Sequence, residues 1–452
     1  MKQQVNLLKG KIFPALTALA LPIMLTSLVQ MAYNLTDMIW IGRLSADAVA
    51  AVGAASMFSW LSRGMGIVAR MGGQVLVAQK LGSGKEEEAV SYAQASVQMG
   101  IFLSVVFGLI TVFFCKPLIA FFKLNSSVVI ADAEIYLAIT CGLVLFSVMN
   151  QIFTGLLTAM GNSRISFLSN TIGMVINIFL DPLLIFGWGP IPAMGVAGAA
   201  IATVASQAIV FFLFLSAVRK EPVIFSKIRL LRKPDGEKIK AITKIGLPSS
   251  LQSMAFSAIS MIIARVIAGW GDAAVAVQKV GSQIESISWM TAEGFSAAVN
   301  AFVAQNFGSG NWSRVKKGYQ TSMAVVLAWG LLCTVILFTV PEFIFRIFIP
   351  DPEILPMGVQ YLKILSYSQL FMCIEITTSG AFSGLGKTMP PSLIGIVFTV
   401  ARIPAAIFLM KTSLGLDGIW WSITISSVFK GIFLFLWFLV FMRRFGKKFS
   451  PD

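Results

Sequence analysis

The stretch VAQKLGSG, residues 77–84, returns as VAQNFGSG at residues 303–310, each at the end of a long apolar segment. Sliding the chain against itself by the same 226 residues sets Leu21-Pro22 on Leu247-Pro248 and Ala48-Val49-Ala50 on Ala274-Val275-Ala276. From 20–84 against 246–310, 17 of 65 gapless positions are identical, well above chance even for an apolar composition. After a one-residue slip, TGLLTAMGNS (154–163) falls on SGAFSGLGKT (379–388). The chain therefore reads as two homologous halves. The repeated turns lack the Lys-Ser/Thr ending of a phosphate loop, so they read as helix stops or hinges.

Of 452 residues, 57% are hydrophobic and 12% charged. Soluble domains carry about 25% charged residues, so this chain belongs in a bilayer. Hydrophobic runs and charged breaks predict an all-α polytopic protein of about twelve transmembrane helices, six in each half. An even number gives both halves the same membrane orientation, with a substrate cavity expected between them. The long polar break RKEPVIFSKIRLLRKPDGEKIK divides the chain into an N-terminal lobe (1–218), a cytoplasmic basic linker (219–240) and a C-terminal lobe (241–452). The first apolar run, Ile12 to Gly42, is too long for the core of a cleaved signal peptide and lacks a small-residue cleavage site. It would measure roughly 46 Å as a helix against about 30 Å of hydrocarbon, so a tilt or bend is expected. Pro22, and Pro248 at the equivalent place, are the hinge candidates.

A net charge of +15 does not point to nucleic acid once its placement is considered. With a cytoplasmic N-terminus, the inner segments hold 22 of the 35 Lys and Arg and the outer loops five, namely Arg43, Lys116, Lys123, Arg346 and Lys411. That bias predicts both termini in the cytoplasm and basic loops facing anionic lipid headgroups of the cell membrane. The chain has no histidine, which removes His-based metal sites, Ser-His or Cys-His nucleophiles and imidazole relays. The cysteines Cys115, Cys141, Cys333 and Cys373 have no paired spacing and read as small hydrophobes. No cofactor and no enzyme activity are expected.

Chemistry concentrates in a few intramembrane polar groups. Asp37, in YNLTDMIWIG (33–42), is the only charge between Lys11 and Arg43, and Asn34 lies one turn before it. NIFLD (177–181) sets Asn177 and Asp181 on one helical face. An Asp at mid-helix costs about 2.5–3.5 kcal/mol on insertion scales, so each needs a partner, a proton or a cation. Two carboxylates and two amides could ligate a small cation, or two close carboxylates could hold one proton. Equally, both could merely accept hydrogen bonds, and Asp181-Pro182 could begin an outer turn. The repeat partners of Asp37, Asn177 and Asp181 are Ile263, Arg402 and Ala406, so this constellation belongs to the N-terminal half alone. In the C-terminal half, Arg265, Lys279, Glu285, Glu293, Glu375 and Arg402 suggest internal ion pairs. Glu375 aligns with Asn150 in the repeat; these two, with Gln30, are candidates for contact with substrate or proton. The many Phe and Met could line an adaptable drug cavity, though most are expected to face lipid.

ALPIMLTSLVQMAYNLTDMIWIGRLSADAVAAVG, the paired VAQ-x-x-GSG turns, TGLLTAMGNSRISF and MGVAGAAIATVAS together resemble the multidrug and toxic compound extrusion (MATE) family. The likeness covers essentially the whole chain. It implies a V-shaped fold of two six-helix bundles, alternating access, and exchange of Na⁺ or H⁺ against organic cations and drugs. In that family an acid on the first helix couples the cation, and Asp37 matches it. The Asn-x-x-x-Asp pair of the fifth helix matches Asn177 and Asp181, and Thr203 is the nearest match to a sixth-helix threonine. If Na⁺ is the coupling ion, Asp37, Asn177 and Asp181 would be its ligands. One departure matters: LPSSLQSMAF offers Gln252 where some members carry a seventh-helix acid, and Glu375 is displaced from the usual tenth-helix position.

The expected function is thus a monomeric secondary antiporter for small organic cations or drugs, surrounded by membrane lipids. The alternative is a flippase for lipid-linked saccharides or another amphipathic lipid, which would want a cavity rich in Arg and Lys. Arg63 and Arg70 are the N-terminal candidates for that. An intramembrane aspartyl protease built on Asp37 and Asp181 is the one enzyme the sequence leaves room for.

Overall fold

The computed structural model describes residues 5–122, 124, 126–219 and 221–449. The described chain forms sixteen α-helices, a single short 3₁₀ turn at Phe225–Lys227, and no strand beyond one isolated bridge, Trp188 to Ile191. In order they are α1 (Ile12–Leu44), α2 (Ala46–Gly82), α3 (Glu86–Phe113), α4 (Cys115–Ala120), α5 (Ser127–Gly142), α6 (Leu145–Ala159), α7 (Ser163–Phe186) and α8 (Gly195–Val218). The second half follows with α9 (Gly236–Ala268), α10 (Asp272–Gly308), α11 (Trp312–Thr339), α12 (Pro341–Phe348), α13 (Leu355–Gly384), α14 (Met389–Val400), α15 (Arg402–Leu409) and α16 (Leu416–Phe449). The repeat is visible in the lengths. α1 and α9 both have 33 residues, α2 and α10 both have 37, and α3 and α11 both have 28.

The turns that defined the repeat are helix stops. Gly84 and Gly310 adopt φ of 73° and 76°, a left-handed conformation that costs glycine little. Beyond them Lys85 N–H donates to Lys80 O and Asn311 N–H to Asn306 O, both at 2.9 Å, which satisfies carbonyls left open by the last turn. The next helices start on side-chain or acidic caps. Asn311 Oδ1 accepts from Arg314 N–H at 3.0 Å, and α3 opens on Glu86, Glu87 and Glu88 at the positive end of its dipole.

Among the described residues eight helices are long and apolar enough to cross a membrane, or nine if α5 and α6, bent by 42°, form one span. The sequence led us to expect about twelve. α2, α10 and α13 make up the difference. They have ample length, at 37, 37 and 30 residues, but carry Arg63 and Arg70, Lys279, Glu285 and Glu293, and Lys363 and Glu375. These charged side chains keep the three helices below the hydropathy of the other spans.

Contacts divide the chain into two compact units: Leu25–Ser250 with Val5, and Asn6–Met24 with the chain from Leu251 onward. The boundaries fall two residues after Pro22 and Pro248, inside α1 and α9, and the segment 219–240 lies within the first unit. The first half of α9 therefore packs in unit 1. There a Cβ on Gly246 would overlap the Val68 carbonyl of α2, and one on Gly72 would overlap Ile242 O. Ser250 Oγ adds a hydrogen bond to Gly64 O at 2.7 Å. In unit 2 the first half of α1 does the same. Gly294 of α10 sits against Met24, and Leu16 and Leu19 are fully enclosed. Small residues let helix backbones approach where lipid supplies no hydrophobic drive between helices.

Gly246→Ala should lower the thermal stability of the detergent-purified protein by about 1–3 kcal/mol through overpacking. Gly53→Ala, where an added Cβ meets nothing within 4 Å, should leave it unchanged or slightly raise it. Thermal unfolding of both variants beside the wild type checks this.

Candidate functional site

The site is built on inverted amphipathicity. The buried residues of α7 are Ser163, Ser166, Ser169, Gly173, Asn177, Asp181 and Ile185, while Leu168, Ile172, Val175 and Phe179 of the same helix are exposed. A helix in lipid keeps polar groups inward and apolar ones outward, the reverse of a soluble surface helix. Gly173 allows the approach of α8, since a Cβ there would strike Val210. The helix does not end at Asp181-Pro182, as the outer-turn reading had it; it runs on to Phe186 and stops at Gly187 with φ 76°. Pro182 offers no N–H to the carbonyl of Ile178 four residues back, so one backbone acceptor is released beside Asp181.

Asp181 is 0% exposed and Asn177 1%. Asn177 Nδ2 donates to Asp181 Oδ1 at 3.2 Å. Asp37, on α1 and half-buried, comes within hydrogen-bonding reach of Asp181. Two carboxylates can hydrogen-bond only when one carries a proton, because an ionised carboxylate is an acceptor only. Tyr33, one turn before Asp37, stands beside Thr203 of α8, and Tyr136 of α5 and Arg63 of α2 face the same group of residues. Arg63 also lies over the ring of Trp60, 5.9 Å from its centroid and inside the roughly 6 Å reach of a cation–π contact.

The unsatisfied atoms say what the cluster lacks. Among the described residues, Asp37 Oδ1, Asp181 Oδ2, Asn177 Oδ1 and Thr203 Oγ1 are buried without a hydrogen-bond partner. Leaving such atoms bare costs about 1–3 kcal/mol each, more when charged. Every one is an oxygen, and oxygen ligands from carboxylate, amide and hydroxyl are what hard cations take. The donor set therefore fits a small cation, and it fits a proton on the carboxylate pair equally well. Among the described residues no group of three or more Cys, Asp or Glu forms a metal cluster, which accords with a site of only two carboxylates. The side chain of Asn34 lies outside the described residues.

The other expected residues are elsewhere. Gln30 is half-buried on α1, and Pro22 and Pro248 lie inside α1 and α9. Asn150 is enclosed in unit 1, where its Nδ2 donates to Gln207 O at 2.9 Å and Oε1 at 3.0 Å. Glu375 belongs to unit 2, is 8% exposed, and is ion-paired at 3.0 Å with Lys430, a partner that sequence reading missed. A lone lysine in the apolar run SSVFKGIFLF was the available signal. Arg402 takes serines rather than acids, donating to Ser426 Oγ at 3.0 Å and Ser427 Oγ at 3.1 Å. Glu285 accepts from Tyr361 at 2.7 Å and Gln369 at 3.2 Å. Arg265 and Lys279 are exposed. All four cysteines are free.

The MatE family model matches residues 22–183 and again 248–408. A probable multidrug resistance protein NorM of Thermotoga maritima is 31% identical over 431 residues, covering 94% of this chain and 91% of that protein. The probable multidrug resistance protein YpnP of Bacillus subtilis is 28% identical, with 95% of each covered. Among solved structures, a MATE in complex with MaL6 superposes with a TM-score of 0.91 at 24% identity, over 99% of this chain and 100% of that one.

Lys430→Met should cost about 3–5 kcal/mol of stability, since it strands Glu375 as a buried charge. The double variant Lys430→Met with Glu375→Gln should recover most of the loss. A double-mutant cycle by thermal unfolding gives the coupling directly.

Proposed function

The chain belongs to the MatE family, and on that premise we propose that it is a secondary antiporter of the cell membrane, exporting organic cations or drugs in exchange for Na⁺ or H⁺. The observation that carries this reading is the set of four bare, buried oxygens around the contact of Asp37 with Asp181. A membrane protein has little reason to keep such a cluster unless an ion or proton visits it. The multidrug names of the relatives support drug-like cargo.

In this mechanism Asp181, held by Asn177, is the fixed member, and Asp37, on α1 and less buried, is the member that moves. With cation or proton present, the two carboxylates stay together and Thr203 and Asn177 complete the oxygen shell. When the site empties, two like charges repel, and α1 shifts near the break in its hydrogen-bond ladder at Pro22. The ion can bias the exchange between inward-open and outward-open states only by its difference in affinity for the two. Moving one charge through 100 mV of membrane potential is worth about 2.3 kcal/mol, enough to drive substantial accumulation across the membrane. The bias of Lys and Arg toward one set of loops supports a cytoplasmic location for both termini.

A flippase for lipid-linked saccharides fits less well, because the bare groups here are acceptors and a pyrophosphate needs donors.

Dye efflux from proteoliposomes tests the proposal under an imposed Na⁺ gradient and then a pH gradient. One gradient should drive export of a cationic dye, and Asp37→Asn should reduce it to the rate of protein-free vesicles. Normal transport by the Asn variant, or no response to either gradient, would end the coupling role of Asp37.

A further inference from the structure

The segment joining the two halves of the chain is fastened to α3 at one level. Arg229 N–H donates to Gln94 Oε1 at 3.2 Å, and Gln98 Nε2 donates to Leu230 O at 2.9 Å and to Arg232 O at 2.7 Å. That level is where α3 changes character. From Glu86 to Gln98 it carries three Glu, two Ser, Tyr92 and two Gln; from Ile101 to Phe113 it carries no charge. Phe102 is 66% exposed there, and Val105, Leu109 and Phe113 are exposed as well. The linker thus lies at the boundary between headgroups and hydrocarbon.

Between linker and helix runs a groove of about 440 Å³, lined on one side by Ile101, Phe102 and Val105 and on the other by Leu230, Arg232 and Lys233. Leu231 is fully exposed beside it. Two nearby acids are already taken: Glu86 pairs with Lys227 at 3.8 Å and Asp235 with Lys238 at 3.4 Å. Among the described residues no carboxylate forms an ion pair with Arg229, Arg232 or Lys233. Gln98 Oε1 is a buried acceptor with no partner in the same groove.

We propose that this groove binds one anionic phospholipid with a hydroxyl-bearing headgroup, of the phosphatidylglycerol kind. Its phosphate sits at Arg232 and Lys233, a headgroup hydroxyl donates to Gln98 Oε1, and an acyl chain lies along Ile101, Phe102 and Val105. Charge complementarity selects the headgroup, and the boundary position of the groove selects a lipid over a soluble phosphate. The proposal rests on the fold and the linker, and stands or falls apart from ion coupling at Asp37.

A photoactivatable phosphatidylglycerol, with its reactive group in the acyl chain, tests this on the full chain in phosphatidylcholine vesicles. Peptide mapping should place adducts on 101–105 and 230–234. Unlabelled phosphatidylglycerol should compete; phosphatidylcholine and water-soluble glycerol phosphate should not. R232E combined with K233E should weaken labelling about tenfold or more, while K316E, outside the groove, should not. Equal competition by phosphatidylcholine, displacement by glycerol phosphate, or adducts spread evenly over lipid-facing helices would each overturn the proposal. The competition arm uses the wild-type chain, so it decides the matter even if the double variant folds poorly.

Discussion

Two carboxylates held against each other in a low-dielectric interior set the terms for the rest of unit 1. Two neighbouring carboxylates repel when both are ionised, and a cation or proton between them relieves that repulsion. Everything nearby serves to hold them there. Asn177 fixes one oxygen of Asp181, the inverted polar stripe of α7 turns both residues inward, and Gly173 lets α8 bring Thr203 close. The aromatic and cationic neighbours Tyr33, Tyr136 and Arg63 complete the wall. Such a cluster is costly to build, and its four bare oxygens keep it so until something binds.

The frame that tolerates this cost is made by close backbone packing. In unit 1 the first half of α9 meets α2 through Gly246, Gly72 and the Ser250–Gly64 hydrogen bond. In unit 2 the first half of α1 meets α10 through Gly294. The same arrangement is made twice from related sequence. In both cases the change of unit comes two residues after a proline, where the helical ladder has a missing donor. A helix that leaves one unit and enters the other at its weakest point can change shape there with few hydrogen bonds to break. That places the proline of α1 in line with Asp37, four turns further along the same helix.

Much of this was legible in the sequence because it is local or periodic. The 226-residue repeat foretold equal helices, the GSG turns foretold stops, and the i, i+4 spacing foretold that Asn177 and Asp181 share one face of a helix, where they hydrogen-bond. What sequence could not reveal depends on which distant residues meet. Tyr33 and Arg63 look ordinary until α1, α2 and α8 are assembled. Lys430 is a lone lysine in an apolar run until α16 lies against α13 and meets Glu375. Proline at 182 suggested a turn because local propensity disfavours it in a helix, but tertiary packing of α7 overrode that preference. The polar break at 219–240 suggested a domain boundary for a similar local reason. Contacts instead assign it wholly to unit 1, because half of α9 is drawn there by its fit to α2.

The two halves began as copies and now differ in how they treat buried charge. In unit 2, Glu375 has Lys430, Arg402 has Ser426 and Ser427, and Glu285 has Tyr361 and Gln369. Each of these three buried or half-buried groups has a protein partner, and such satisfied networks resist rearrangement. In unit 1 the acids face each other, and their remaining oxygens face no donor. Arg402 makes the contrast sharpest, since it occupies the repeat position of Asn177. A guanidinium at that place would neutralise a neighbouring carboxylate permanently and abolish any need for an ion. An amide at the same place holds the carboxylate without neutralising it. Three exchanges between the copies, Asp37 for Ile263, Asn177 for Arg402 and Asp181 for Ala406, thus separate a half braced by a guanidinium and serines from a half that sets two carboxylates beside an amide.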